Sequence, residues 1–159
     1  APQTQLGYSY TQWKNDFGKV DRVDYLGGAT FATEYTNKTR DGVTLGSFIN
    51  IRNYNKIEGD FAEYVITDPL YMHEYGHTVD SRQFGPIYLF AVGLPSLISA
   101  NNAEQIEGEP DNVTTHDFKV YEMRANKYAA DYFGKYYGVD WLTIYKIGTI
   151  ETYYPRTKR

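Results

Sequence analysis

Two of the three histidines in the chain stand four residues apart in "DPLYMHEYGHTVDSRQFGP" (Asp68–Pro86), with Glu74 directly after the first. On an α-helix, residues i and i+4 lie about 40° apart, one turn above each other. His73 and His77 are therefore expected to point side by side at one ion, with Glu74 at the edge of the same arc. This is the mechanical content of H-E-x-x-H: two imidazole ligands and a carboxylate within reach of metal-bound water. The chain has no cysteine, which excludes thiolate sites and disulfides, so any metal must rely on His and carboxylate ligands.

A catalytic zinc usually takes three protein ligands and keeps one position open. The short pattern with a third His six residues later is absent, because Asp80 stands where its glycine belongs and Gln83 where its His belongs. A carboxylate from elsewhere is needed. Glu104, Glu107 and Glu109 fall in "EQIEGEP", a polar loop in which they are expected to be solvated. Glu122 differs. In "DFKVYEMRANKYAADYFGKYY", a helical wheel groups it with Phe118, Ala125, Ala129, Phe133 and Tyr136. Arg124, Lys127, Asp131 and Lys135 fall on the other side, and Asn126 lies one turn above Glu122. A carboxylate on the buried face must find a cation, a proton or a metal. Glu122 is expected to ligate the ion held by His73 and His77, with an ion pair to Arg or Lys and a protonated carboxyl as the alternatives.

The elements that must position these side chains read as an α+β fold in one domain, residues 1–159. The first sixty residues are strand-like: "VDRVDYLGGATFATEYT" and "VTLGSFINIRNYN" carry β-branched and aromatic residues around the turn signals "NKTRDG". They predict a small antiparallel N-terminal sheet. Asp68–Pro69 is a helix start, with Asp as cap and Pro in the first turn, and Gly85–Pro86 ends that helix. Tyr71, Met72, Tyr75 and Val79 give it an apolar back, which turns the histidines toward a cleft. Gly76 in mid-helix costs about 1 kcal/mol relative to Ala, and close approach of another backbone would justify it. "IYLFAVGLPSLISA" predicts a buried helix broken at Gly93 or Pro95, and "NNAEQIEGEPDNVTT" a loop. A second long helix is expected from Asp117 to Tyr137, opened by a Thr114/Thr115 cap and closed at Gly138, with a last short helix from Asp140.

His73-Glu74-x-x-His77 followed by Glu122-x-x-x-Asn126 resembles the gluzincin metallopeptidases. The resemblance implies a zincin-like fold, Zn²⁺ on His73, His77 and Glu122, and an outer-shell residue at Asn126 that orients a histidine ligand. The family usually has Asp there; Asn accepts the same hydrogen bond without the charge, which lowers ligand basicity. "HEYGHTVDSRQFGPIYLFAVGLPSLISA" and "THDFKVYEMRANKYAADYFGKYYGVDW" are similar to the metallopeptidase domain at the C-termini of RHS-repeat proteins in Bacteroidetes. That similarity implies a toxin-like domain with an immunity protein as partner.

The function expected is zinc-dependent hydrolysis of peptide bonds. Zinc would activate the water, Glu74 would take its proton and pass it to the leaving amine, and His116 or Tyr121 would supply the further oxyanion donor. Extended substrate would add as a strand, with "GSFINIR" as the expected lip of the cleft. Two alternatives remain: a zincin-like shell that binds a partner without chemistry, and a metal-dependent hydrolase acting on cell-wall crosslinks. A formal charge of −4 without a basic stripe argues against a nucleic-acid partner. The apolar run Ile87–Ala100 is too short and too interrupted to span a bilayer. The chain opens at Ala1 with no initiating Met and no signal-like segment. It reads as a processed product or an excised domain, and the resemblance to RHS-associated domains implies one secreted or delivered as part of a larger bacterial protein.

Overall fold

The computed structural model describes residues 1–88, 92–104, 115–116 and 119–141. Its elements run α1 (Pro2–Asp16), β1 (Arg22–Leu26), β2 (Ala29–Tyr35), β3 (Asp41–Leu45), β4 (Phe48–Asn53), α2 (Phe61–Val65), α3 (Pro69–Phe84), α4 (Leu94–Asn101) and α5 (Val120–Tyr137). The α+β class is as expected. The strand-like reading of the first sixty residues is corrected by α1. Its apolar residues Leu6, Tyr8 and Trp13 are exposed, while Gln3, Gly7 and Lys14 are buried. With the polar residues inside, no apolar stripe of helical period announces this helix.

Each strand-rich stretch folds as a hairpin. Gly27 and Gly28 both have positive φ, as a two-residue type I′ turn requires, and they join β1 to β2. Gly46 and Ser47 join β3 to β4. Asp41 and Gly42, expected in a turn, belong to β3. The sheet order is β1-β2-β4-β3, and β2 runs parallel to β4, so the sheet is mixed rather than antiparallel. Docking the hairpins through their second strands puts the two most apolar strands in the middle, where Phe31, Ile49 and Ile51 are fully buried.

Strand alternation assigns the faces. Phe31, Ile49 and Ile51 pack with Tyr71, Met72 and Tyr75 of α3. In register with Ile51 and Ile49, Gly42 and Thr44 look the same way. On the opposite face α1 is tied down by Thr11 with Asn50 and by Lys14 with Glu34, 3.0 Å apart. The result is three layers, α1 on the sheet on α3, with α5 packed along α3.

Asp68 caps α3 as expected, accepting from the Leu70 N–H at 3.0 Å, and the helix stops at Gly85. The approach of another backbone inferred from Gly76 is real: a Cβ there would stand 2.0 Å from the Ala125 carbonyl oxygen of α5. The same crossing is clamped by Asp80 and Arg124, whose guanidinium donates to both carboxylate oxygens at 2.5 and 2.7 Å. The Asp80 side chain is fully buried, and removing one partner of such a pair typically costs about 3–5 kcal/mol. Arg124 therefore serves the α3–α5 contact rather than an outer, solvated side.

Other expectations shift. α5 begins at Val120, not Asp117, and its N-cap Lys119 makes no side-chain cap bond. Gly138 closes it in the left-handed conformation, as expected. Tyr136 is exposed rather than on the buried face. Of the buried helix expected over Ile87–Ala100 with a break at Gly93 or Pro95, the described residues show a 3₁₀ turn at Gly85–Ile87 and helix α4 from Leu94, with Ile87 and Ile98 exposed rather than buried; residues 89–91 lie outside the described residues. Phe118, Thr114, Asp117, Glu107, Glu109 and the segment after Trp141 lie outside the described residues. Among the described residues, no helix is long and apolar enough to cross a membrane.

Candidate metal centre

α3 and α5 bring the three expected ligands together. Because α5 crosses α3 at Gly76 with backbone in contact, Glu122 and Asn126 lie against the His73/His77 face of α3. That face is closed by α5 rather than open: His77 and Glu122 are buried, and His73 is half-buried. His73 Nε2 stands 3.2 Å from His77 Nε2. Glu122 Oε2 lies 3.1 Å from the first and 3.0 Å from the second. A tetrahedral ion with ligands at about 2.0–2.1 Å has ligand atoms about 3.3 Å apart, so the triangle fits one face of such a site within a few tenths of an ångström.

The outer atoms fit as well. His73 Nδ1 is 2.7 Å from Asn126 Oδ1, so an Nδ1–H donated there leaves Nε2 for an ion. His77 Nδ1 is 3.3 Å from the Tyr88 hydroxyl. Oxygen partners on both outer nitrogens fix the ring orientations, as outer-shell groups do around metal-ligating histidines. Among the described residues, His73, His77 and Glu122 form a group that could hold a metal ion.

Without an ion, the three side chains make a charged hydrogen-bonded cluster. Burial pulls the His73 pKa down, but the hydrogen bond and charge of Glu122, the charge of Glu74 and the Asn126 contact raise it to about 9. For Glu122, burial works upward, yet His77, with hydrogen bonds from both histidines, holds the carboxyl well below its usual range. The signs set the pH response. A raised histidine contributes stability that is complete below about pH 6.5 and fades as pH rises through about 9. A depressed carboxyl contributes stability that is present above its unfolded value, 4.5, and fades in acid. These are two views of one contact. A metal must displace the His73 proton, so its apparent affinity should rise about tenfold per pH unit up to pH ~9 and then level off. Thermal unfolding of the metal-free protein should move the other way, with Tm falling from pH 6.5 to 9.5. Chelator competition read beside melting curves checks both, and affinity flat across this range would contradict the assignment of the proton to His73.

Glu74 is also buried, outside the ligand triangle but near enough for its charge to act on His73. Its Oε2 accepts from the Thr44 hydroxyl at 2.6 Å. The expected cleft strand changes identity. "GSFINIR" is largely β4, which is paired on both sides, whereas β3, like β1, is an edge strand. In the β3–β4 ladder the Leu45↔Phe48 pair closes the two-residue turn. Alternation then turns the main-chain groups of Gly42 and Thr44 outward.

His116 meets the site through the other ligand oxygen, with Nε2 3.3 Å from Glu122 Oε1, and its ring centre lies 6.3 Å from that of Tyr121. Glu104 is exposed, as its loop reading implied. Four participants went unread. Tyr88 sits beyond the end of α3, at a spacing no helical rule covers. In the sequence Asp80 stands out only as a mismatch to another motif. Thr44 carried no signal. Gly42 did carry one, since a glycine inside a strand marks close approach of another group.

Comparison of the chain with models of known protein families, with curated proteins and with solved structures finds no match.

Proposed function

We propose that the chain is a zinc-dependent endopeptidase of zincin-like build, with His73, His77 and Glu122 as ligands and Glu74 as general base. The observation that carries it is the convergence of His73 Nε2, His77 Nε2 and Glu122 Oε2 within 3.0–3.2 Å of one another, together with a buried carboxylate, Glu74, that lies outside this triangle. A purely structural ion has no use for that last group.

Two nitrogens and one oxygen suit zinc among the available divalent ions. When bound, zinc supplies Lewis acidity toward water and toward the substrate carbonyl. The remaining work falls to the protein. The outer edge of β3 binds extended peptide through the main-chain groups of Gly42 and Thr44. Glu74 keeps Oε2 on the Thr44 hydroxyl and takes the proton of the attacking water on Oε1. As that proton leaves, the water oxygen adds to the substrate carbonyl carbon and the new C–O bond forms; the same carboxyl then returns the proton to the amine nitrogen, and the peptide C–N bond breaks as the carbonyl re-forms. Asn126 and Tyr88 keep the histidine rings in register throughout. The resemblance to RHS-associated domains extends this reading to a toxin-like effector, delivered within a larger bacterial protein and countered by an immunity protein.

The test uses purified protein, metal analysis and a broad peptide library. The expected result is about one zinc per chain, cleavage abolished by chelation, and cleavage restored by zinc. Stoichiometric zinc without turnover would redirect the reading to a binding module; turnover confined to cell-wall peptides would redirect the substrate.

A further inference from the structure

Resting on the hydrolytic reading above, we infer that Thr44 is the positioning residue for Glu74, working with the space left at Gly42. Thr44 and Glu74 are thirty residues apart, yet the Thr44 hydroxyl lies 2.6 Å from Glu74 Oε2 and 3.1 Å from the Glu74 carbonyl oxygen. A hydroxyl has one proton to give, and the shorter contact, to a carboxylate, has the length of a charge-assisted bond. Two residues earlier on the same strand face, a Cβ at Gly42 would stand 2.5 Å from Glu74 Oε1 and 2.6 Å from its Cδ. One carboxylate oxygen is thus held by a donor while the other fits against bare backbone. Strand periodicity requires this spacing: Gly42 and Thr44 share a face because they are two apart.

The consequence is geometric. Glutamate has three rotatable side-chain bonds, and on α3 alone its carboxylate could swing away from the ligand triangle. β3 removes that freedom. The two residues that restrain the carboxylate are also the two whose main-chain groups face the outer edge. A peptide added there is therefore held at a fixed distance from the base by the strand that grips the base. The pair Gly42-x-Thr44 sets the catalytic register.

Thr44→Val keeps shape and removes the donor; Thr44→Ser keeps the donor; Gly42→Ala displaces the carboxylate from the other side. For Thr44→Val, kcat should fall about 10–100-fold, since misplacement by about 1 Å carries that scale of loss. KM and zinc affinity should stay within about twofold, and Thr44→Ser should recover most of the rate. Gly42→Ala should lower kcat comparably with zinc retained. A readout independent of turnover uses the metal-free protein: Thr44→Val should lower Tm by several degrees in the otherwise unchanged chain and by much less in a Glu74→Ala background. Wild-type cleavage with unchanged kcat in both Thr44→Val and Gly42→Ala would overturn the positioning role and leave the hydrolytic reading standing. Loss of zinc, a raised KM, or a Tm effect independent of Glu74 would make Thr44 a tie between β3 and α3 and also overturn it. A zinc-loaded wild type that cleaves nothing fails at the earlier reading, and the role of Thr44 falls with it.

Discussion

Glu74→Gln should leave zinc content and melting temperature close to wild type while lowering peptide cleavage by about 10²–10⁴-fold, the usual share of a general base. The substitution is chosen for what it preserves. Gln has the same length, its amide oxygen can still accept from Thr44, and no ligand atom is touched. What disappears is the basic oxygen. A loss confined to kcat identifies a group that acts in the transition state, whereas a rise in KM alone would mean lost substrate binding. Cleavage retained within tenfold of wild type removes Glu74 from the base role. The charge of Glu74 also supports the proton on His73, so the variant should bind zinc at neutral pH at least as well as the parent.

Glu122→Ala is expected to reduce zinc from about one per chain to a small fraction, with an affinity loss beyond the 10–100-fold typical of outer-shell partners. The carboxylate is buried between α3 and α5, with Oε2 shared by His73 and His77 and Oε1 by His116. Its removal takes away a ligand and also the charge that keeps His73 protonated in the metal-free chain. The pH dependence of metal-free stability should therefore flatten in this variant between pH 6.5 and 9.5. That second signature matters because metal loss alone could follow from general unfolding, whereas a folded variant with flattened pH dependence reports on the cluster itself. Unchanged zinc occupancy would take Glu122 out of the ligand set.

The two experiments probe information that was legible to different degrees. The i, i+4 spacing of His73 and His77 needed nothing beyond a helix, and Asp68-Pro69 with Gly85 bounded that helix correctly. The odd placement of Glu122 among small and apolar residues was readable because α5 has a strong buried face, with Ala125, Asn126, Ala129 and Phe133 buried beside it. Gly76 foretold a backbone crossing, and the Ala125 carbonyl occupies the space a methyl would need. α1 gave no such signal for the converse reason, since its buried positions are Gln3, Gly7 and Lys14 while Leu6, Tyr8 and Trp13 are exposed. The parallel pairing of β2 with β4 was also illegible, because two hairpins with similar apolar strands can dock in either sense.

By itself, then, the sequence determined what is local and periodic: the imidazole pair, the helix that carries it, the strand-rich character of residues 20–55 and the buried glutamate. Tertiary structure alone decided which groups from separate elements meet. It set Glu122 Oε2 at 3.0 Å from His77, assigned the outer edge to β3, drew Tyr88 to His77 and brought Thr44 to Glu74. The physical reason is that helix and strand periods fix the direction of a side chain relative to its own backbone, while contacts between separate elements depend on how whole faces pack. That packing turns on close approaches, such as Gly76 against Ala125 and Gly42 against Glu74, in which the decisive feature is a missing methyl group.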